Sequence, residues 1–306
     1  MGIERDGLIM TPDVSIGIIG LGLMGIALSA RLIDAKIPLI GFDIDPARCG
    51  MFKASGGMVA TSVGEIAAHC PTIIIAVYSG EQVAALFDEI VDGAGHTRPV
   101  VICTTTCGPA EITGIAERAA AAGMALVEAP ISGTSTEVLD GTATALLAGD
   151  AAIIDQVGRL INILCPRSVR VGAISDASRA KLAINLILQN NRAALAEGIA
   201  FAERLGLDGH AFLAAARQSA AYSRVMDTKG EKMLTADFRP QSHLAQALKD
   251  AELIIMEAGR HGMHLPLTTV QAELLRTAIA LQGPDRDSAA VIEAIRRQSD
   301  SSRASR

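Results

Sequence analysis

Apolar residues in the first half of the chain come in short unbroken runs, and most runs are followed by a segment whose apolar positions recur every three or four residues. The runs SIGIIG (15–20), PLIGFD (38–43), TIIIAVY (72–78), PVVICTT (99–105), MALVEAP (124–130), TATALLAG (142–149) and SVRVG (168–172) are rich in Ile and Val and bounded by Gly or Pro. Short runs of this kind read as strands, and continuous apolarity reads as strands buried on both faces. With helical spacing between them, they predict βαβ units and a mostly parallel, doubly wound sheet over residues 1–175. From about residue 176 the strand signal stops. Ala- and Leu-rich segments run from Ser178 to Leu205 and resume at His210, Gln241 and Thr268, so residues 176–306 read as an all-α domain. The closing RRQSDSSRASR is too polar to bury much surface and is expected to fray.

Composition narrows the picture. A chain of 306 residues, half of them hydrophobic, is long enough for two cores. Its net charge of −6, with no basic run, would repel a polyanion, so nucleic acid is not an expected partner. Five cysteines without a CxxC pair suit reduced thiols in a cytoplasm better than a disulfide framework or a zinc ribbon. The uncharged run Val14–Ala30 carries four glycines and falls short of the roughly 20 apolar residues a spanning helix needs. The start MGIERDGLIMTPD lacks the basic flank of a signal peptide, and no membrane association is expected. His261 and His264 have Gly262 between them and Pro266 after them, which reads as a helix end; no metal site is expected.

The first run ends in GLGLMG, which sets Gly20, Gly22 and Gly25 in G-x-G-x-x-G spacing between a strand and a helix. Three glycines alone are a weak signal; in that context each has a physical task. Gly20 makes the tight turn, Gly22 lets backbone approach a pyrophosphate, and Gly25 allows close packing, while the helix N-terminus offers unpaired N–H groups. Gly20, Leu21, Gly22, Leu23, Met24 and Gly25 are therefore the expected dinucleotide contacts. Asp43 ends the second strand, where a carboxylate meets ribose hydroxyls and repels a 2′-phosphate. No Arg follows it directly, the nearest being Arg48, so NAD is favoured over NADP. Asp45, before Pro46, reads as a helix N-cap.

In SRAKLAINLILQNN (178–191), Lys181, Asn185 and Gln189 recur every fourth position on an otherwise apolar helix. Residues four apart lie about 5–6 Å from one another on one face, so an ammonium and an amide can reach one small ligand. Reduction of a carbonyl by hydride requires a proton donor, and the reverse reaction requires a neutral base. Burial and a positive nicotinamide would both disfavour the ammonium form of Lys181.

GLGLMG, EAPISG (128–133), DGTATALLAGD (140–150), AKLAIN (180–185) and ALKD (247–250) together resemble the 3-hydroxyisobutyrate dehydrogenase, or β-hydroxyacid dehydrogenase, family over nearly the whole chain. The resemblance implies a Rossmann-type domain, a long interdomain helix, a helical C-terminal domain and an active site in the cleft between them. It implies Lys181 as proton donor and acceptor, with Asn185 holding the substrate. By the same resemblance Ser132, Gly133 and Thr134 bind the substrate carboxylate, Lys249 reaches substrate and nicotinamide beside Asp250, and Phe238 lines the pocket. Thr134-Ser-Thr-Glu137 is also a capping box, so Thr134 can serve the helix instead. Thr105 and Thr106 stand where relatives carry Ser-Thr, with Thr106 the expected cofactor contact. Val77 and Tyr78 replace a Leu-Pro that contacts the cofactor, and Tyr78 cannot reproduce a fixed proline turn.

The expected activity is hydride transfer between NAD and a small 3-hydroxy acid such as 3-hydroxyisobutyrate, reversible with the semialdehyde. The alternatives are an NADPH-dependent glyoxylate or succinic semialdehyde reductase of the same fold, or a dinucleotide-sensing protein without turnover. Lys181 argues against an imine reductase, and Ile184 before Asn185 against 6-phosphogluconate dehydrogenase itself. The apolar helical part, with the resemblance, implies a homodimer or homotetramer.

Overall fold

A computed structural model describes the backbone of residues 15–304 and the side chains of residues 15–298. The N-terminal residues 1–14, read above for the absence of a leader, lie outside it. The first strands and helices alternate as β1 (Ile16–Ile19), α1 (Leu23–Asp34), β2 (Leu39–Phe42), α2 (Pro46–Ala54), β3 (Met58–Val59), α3 (Val63–His69), β4 (Thr72–Ile75), α4 (Gly80–Ala94), β5 (Val100–Cys103), α5 (Pro109–Ala121) and β6 (Ala125–Glu128). There follow β7 (Ile131–Ser132), α6 (Ser135–Leu139), β8 (Thr144–Ala148), α7 (Ala151–Gln156), α8 (Gly158–Leu164) and β9 (Arg167–Gly172). The remainder is helical: α9 (Asp176–Arg204), α10 (Gly209–Arg217), α11 (Val225–Thr235), α12 (Leu244–Arg260), α13 (Pro266–Gln282), a 3₁₀ turn at Ser288–Ala290, and α14 (Val291–Ala304).

The sheet runs β3-β2-β1-β4-β5-β6-β8-β7, with β9 also on β8. Pairing is parallel from β3 to β6, turns antiparallel at β6/β8 and β7/β8, and is parallel again at β8/β9. Alternate residues of the central strands feed two cores. Ile18, Ile74 and Ile102 pack with Leu28, Leu32 and Ile161 on one face. Ile73, Ile75 and Val101 pack with Ile66, Phe87 and Ile115 on the other. Each such fully buried side chain contributes about 1.5–3 kcal/mol, so the strand ends that carry the site are rigidly held.

The chain divides into two compact units, residues 1–181 and 182–306. The division falls inside α9, where the periodicity alone placed the boundary at the helix start. The second unit has its own core, including Leu195, Ile199, Met233, Leu275 and Ile292. Within it the Lys229 ammonium donates to both oxygens of the buried Asp287 carboxylate, at 2.7 and 2.9 Å. All seven strands expected from the sequence form. β3 and β7 are two residues each, too short for a periodic signal, and α11 has a mixed composition that hides its apolar face. The polar C-terminal stretch corrects an expectation: it continues α14 as helix through Ala304. Arg296 on that helix is held by Glu203 at 2.6 Å and by Glu293 at 2.9 Å, contacts that composition cannot show.

Candidate active site

The glycine turn is shaped by contacts that leave no room for side chains at two of its three positions. Gly20 has φ +92°, and a Cβ there would lie 2.5 Å from the carbonyl oxygen of Ala76 on the neighbouring strand's exit. A Cβ on Gly25 would lie 1.9 Å from the carbonyl oxygen of Gly20. Gly22 differs: its Cβ would meet only Arg48 Nη1, at 3.8 Å. It is the N-cap of α1, with no side-chain cap and no acid in the first turn, so the turn presents backbone N–H groups beside open space. That is the cradle an anionic pyrophosphate fits, and these residues would hold a dinucleotide. Leu21 is buried, whereas Leu23 and Met24 are half-buried at the helix start.

Asp43 is 9% exposed and already engaged. Its Oδ2 accepts from Leu21 N at 2.7 Å and its Oδ1 from Asp45 N at 2.9 Å, so the carboxylate braces the glycine turn. Arg48 approaches Oδ2 at 3.5 Å from the first turn of α2. Asp45 caps that helix by accepting from Ala47 N.

Beyond β4, the Thr105 hydroxyl accepts from Val77 N at 3.0 Å and donates to Val77 O at 3.1 Å. A threonine side chain thus fastens the turn after β4, whereas the sequence pointed to Thr106 and gave no sign of this role for Thr105. Tyr78 is 44% exposed, with its backbone N–H on Gln82 Oε1 at 2.8 Å, and Thr106 is half-buried.

The start of α9 is anchored by Glu128, the last residue of β6. Its carboxylate, 1% exposed, accepts from Ser178 N at 2.9 Å, from the Ser178 hydroxyl at 2.6 Å and from Ser175 N. Burial pushes the Glu128 carboxyl above the ordinary range, against the pull of those three donors. One residue after Ala129-Pro130, the Ile131 carbonyl accepts from Lys181 Nζ at 2.7 Å. Lys181 is 5% exposed; its ammonium lies against β7, which carries Ser132, and not in bulk water. The charged end of an apolar run, MALVEAP, was the available sign of Glu128's role. Glu128→Ala strands three buried donors and is expected to destabilise the protein by about 3 kcal/mol or more in urea unfolding, with kcat falling because Lys181 loses its mount.

Ser132 ends β7 half-buried, and Gly133 takes φ +151° with a would-be Cβ 2.8 Å from Ala143 Cβ, so only glycine fits. Thr134 is the N-cap of α6. Its hydroxyl accepts from Glu137 N at 3.2 Å, and its own N–H donates to Glu137 Oε2 at 2.8 Å. The capping box is thus formed, and the Thr134 hydroxyl is engaged by the helix.

In the second unit, Asn185, 4% exposed, donates from Nδ2 to Asp250 Oδ2 at 3.0 Å. Lys249 Nζ pairs with Asp250 Oδ1 at 2.9 Å, and Gln246 Nε2 donates to the same oxygen at 3.2 Å. Asn185, Lys249 and Asp250 therefore form one cluster. Phe238 is 7% exposed and packs in the core of this unit.

A strand–glycine turn–helix with a carboxylate just after the second strand, followed by a buried lysine and a buried amide four residues apart on one helix, defines an NAD(P)-dependent oxidoreductase. Residues 15–172 match the family model described as the NAD binding domain of 6-phosphogluconate dehydrogenase, and residues 175–295 that of the NAD-binding region of NADP-dependent 3-hydroxyisobutyrate dehydrogenase. The chain belongs to the 3-hydroxyisobutyrate dehydrogenase family of NAD(P)-dependent β-hydroxyacid dehydrogenases. It is 26% identical to L-threonate dehydrogenase of Cupriavidus necator over 91% of this chain and 95% of that one. It is 26% identical to glyoxylate/succinic semialdehyde reductase 1 of Arabidopsis thaliana over 92% and 99%. Its fold matches a crystal structure of 3-hydroxyisobutyrate dehydrogenase from Salmonella typhimurium with a TM-score of 0.83 and 24% identity, covering 92% of this chain and 99% of that one. No helix among the described residues is long and apolar enough to cross a membrane.

Proposed function

We propose that the enzyme oxidises a small 3-hydroxy acid of the 3-hydroxyisobutyrate kind to its semialdehyde, and runs the reverse reduction, with NAD as the preferred cofactor. When bound, the dinucleotide supplies the hydride acceptor or donor. The chain's own residues move the proton and hold the substrate. Lys181, as the neutral amine, takes the hydroxyl proton as the carbon–oxygen double bond forms; as the ammonium it returns that proton to the carbonyl oxygen in reduction. Asn185 steadies the same oxygen, and Ser132 and Gly133 receive the carboxylate. Lys249 adds positive charge beside Asp250. The observation that supports this reading above others is the buried Lys181 ammonium, fixed 2.7 Å from the carbonyl that immediately precedes Ser132.

The cofactor preference rests on Asp43, since a carboxylate there repels a 2′-phosphate. A second reading, an NADPH-dependent glyoxylate or succinic semialdehyde reductase, draws support from Arg48, whose guanidinium stands beside both Asp43 and Gly22. Steady-state screening of 3-hydroxyisobutyrate, 3-hydroxypropionate, glycerate and threonate with both cofactors separates the two. Higher kcat/KM with NAD is expected, and Asp43→Ser should move the preference toward NADP by about tenfold or more, because it removes the repulsion and leaves Arg48 in place. Tighter binding of NADPH than NADH by the unaltered enzyme would reverse the assignment.

A homodimer or homotetramer is part of the proposal. It is supported by exposed apolar side chains on α9 and at its end, among them Ile187, Phe201 and, just past the helix, Leu205, each at least 60% exposed. Five cysteines without a disulfide support a reducing, cytoplasmic setting.

A further inference from the structure

The polar stripe of α9 does not stop at Asn185. Gln189, one turn on, is 3% exposed, and Arg192, three residues further, is 6% exposed. Positions 181, 185, 189 and 192 fall on one helix face. A buried arginine is ordinarily paired. Here Nε and Nη2 of Arg192 are buried with no hydrogen-bond partner, as are Oδ1 of Asn185, Oε1 of Gln189 and both polar side-chain atoms of Gln271 on α13.

The carboxylates near Arg192 are already committed. Asp287 accepts both bonds from Lys229 and further bonds from Gln241 N and Ala289 N. Asp250 accepts from Asn185 and Gln246 and pairs with Lys249. Burial draws the Arg192 guanidinium down to about 10, against the opposing charges of Asp287 and Asp250, which still leaves it cationic at neutral pH. Two ammonium–carboxylate pairs cancel, and Arg192 remains as a surplus buried cation. Such a charge is strongly destabilising unless a counter-ion reaches it.

The unpartnered atoms identify that counter-ion. Nε–H and Nη2–H leave one edge of the guanidinium plane side by side, the fork that takes both oxygens of a single carboxylate. We propose that Arg192 is the subsite for a second, terminal carboxylate of the substrate, so that the enzyme takes hydroxy acids with an acid group at the far end of the chain. The inference rests on the reading of Lys181 and Asn185 as the reacting end. Arg192 lies about 10 Å along the helix axis beyond Asn185, and its side chain leans back toward the N-terminus. With a hydrogen bond at each end, a spacer of about two to four methylenes bridges the remainder. Gln189 stands between the two on the same face, and its amide serves a polar chain or a bridging water.

3-Hydroxyadipate and 3-hydroxyhexanoate share a six-carbon chain and differ only in the terminal carboxylate. The full-length enzyme with its preferred dinucleotide is expected to favour the adipate by about tenfold or more in kcat/KM. Arg192→Met should cut that ratio by about 10²-fold, and Arg192→Lys by about tenfold, because an ammonium keeps the charge and loses the fork. Equal losses on both substrates would mark a purely structural arginine and overturn the proposal. Non-reacting adipate supplies a second readout: it should raise the Tm of the wild type, hexanoate should not, and the shift should vanish in Arg192→Met. If Arg192→Met fails to fold, Arg192→Lys decides by the same ratio. Adipate protection through Arg192 without turnover of any hydroxy acid would sink the proposed reaction and leave this subsite standing. Turnover of 3-hydroxyisobutyrate with no preference between adipate and hexanoate would do the opposite.

Discussion

Lys181→Ala is expected to lower kcat by about 10²–10⁴-fold while dinucleotide affinity stays within about twofold. The glycine turn and Asp43, which would hold the dinucleotide, lie at the ends of β1 and β2 and the start of α1, whereas Lys181 Nζ is fixed to Ile131 O on β7, which also carries Ser132. Removing the amine should therefore take away the proposed proton carrier and leave the glycine turn intact. Lys181→Arg sharpens the test. A guanidinium can still donate to Ile131 O but cannot give up a proton in the working range, so it should restore stability and not turnover. An unchanged kcat for Lys181→Ala in stopped-flow or steady-state assays would remove Lys181 from the chemistry.

Gly22 and Gly25, three positions apart in the turn and the helix it opens, should respond differently in stability. Gly25→Ala places a methyl 1.9 Å from the Gly20 carbonyl oxygen, a backbone atom that Gly20 N, bonded to Phe42 O at 2.9 Å, helps to hold. The helix or the turn must move, and a loss of about 3 kcal/mol in stability is expected together with loss of dinucleotide binding. Gly22→Ala meets nothing closer than Arg48 Nη1 at 3.8 Å, so the protein alone accommodates it. Its unfolding midpoint should stay within about 2 °C of the wild type, while the Kd for NADH rises by about tenfold or more, because the methyl occupies space that a pyrophosphate must approach. Thermal unfolding and NADH titration of both variants check this. Wild-type affinity in Gly22→Ala would mean that the turn is not the phosphate cradle.

The strands were legible in the chain because continuous Ile/Val runs such as TIIIAVY have few other uses in a domain of this size. The glycine turn was legible because its neighbours, a strand before and a helix after, are themselves local. Lys181 and Asn185 were visible as an i, i+4 pair for the same reason. Thr105 and Glu128 were not. Each acts through a bond to a residue 28 to 50 positions away, Val77 for one and Ser178 for the other, and nothing in their own surroundings announces the partner. Thr134 shows the limit from the other side: its sequence fits a ligand contact and a cap equally well, and the hydrogen bonds to Glu137 are those of the cap.

Arg192 marks the same boundary. In the sequence it is one charge among 27 Lys and Arg residues, on a helix where a solvated cation would be unremarkable. Periodicity and spacing, which are properties of neighbours, determined the two-part organisation, the strand set, the dinucleotide turn and the polar face of α9. Burial and partnering depend on which distant segments close over a side chain. Only the folded chain decided that Asp43 braces the turn, that Glu128 mounts the helix bearing Lys181, and that one buried arginine keeps Nε and Nη2 without a hydrogen-bond partner.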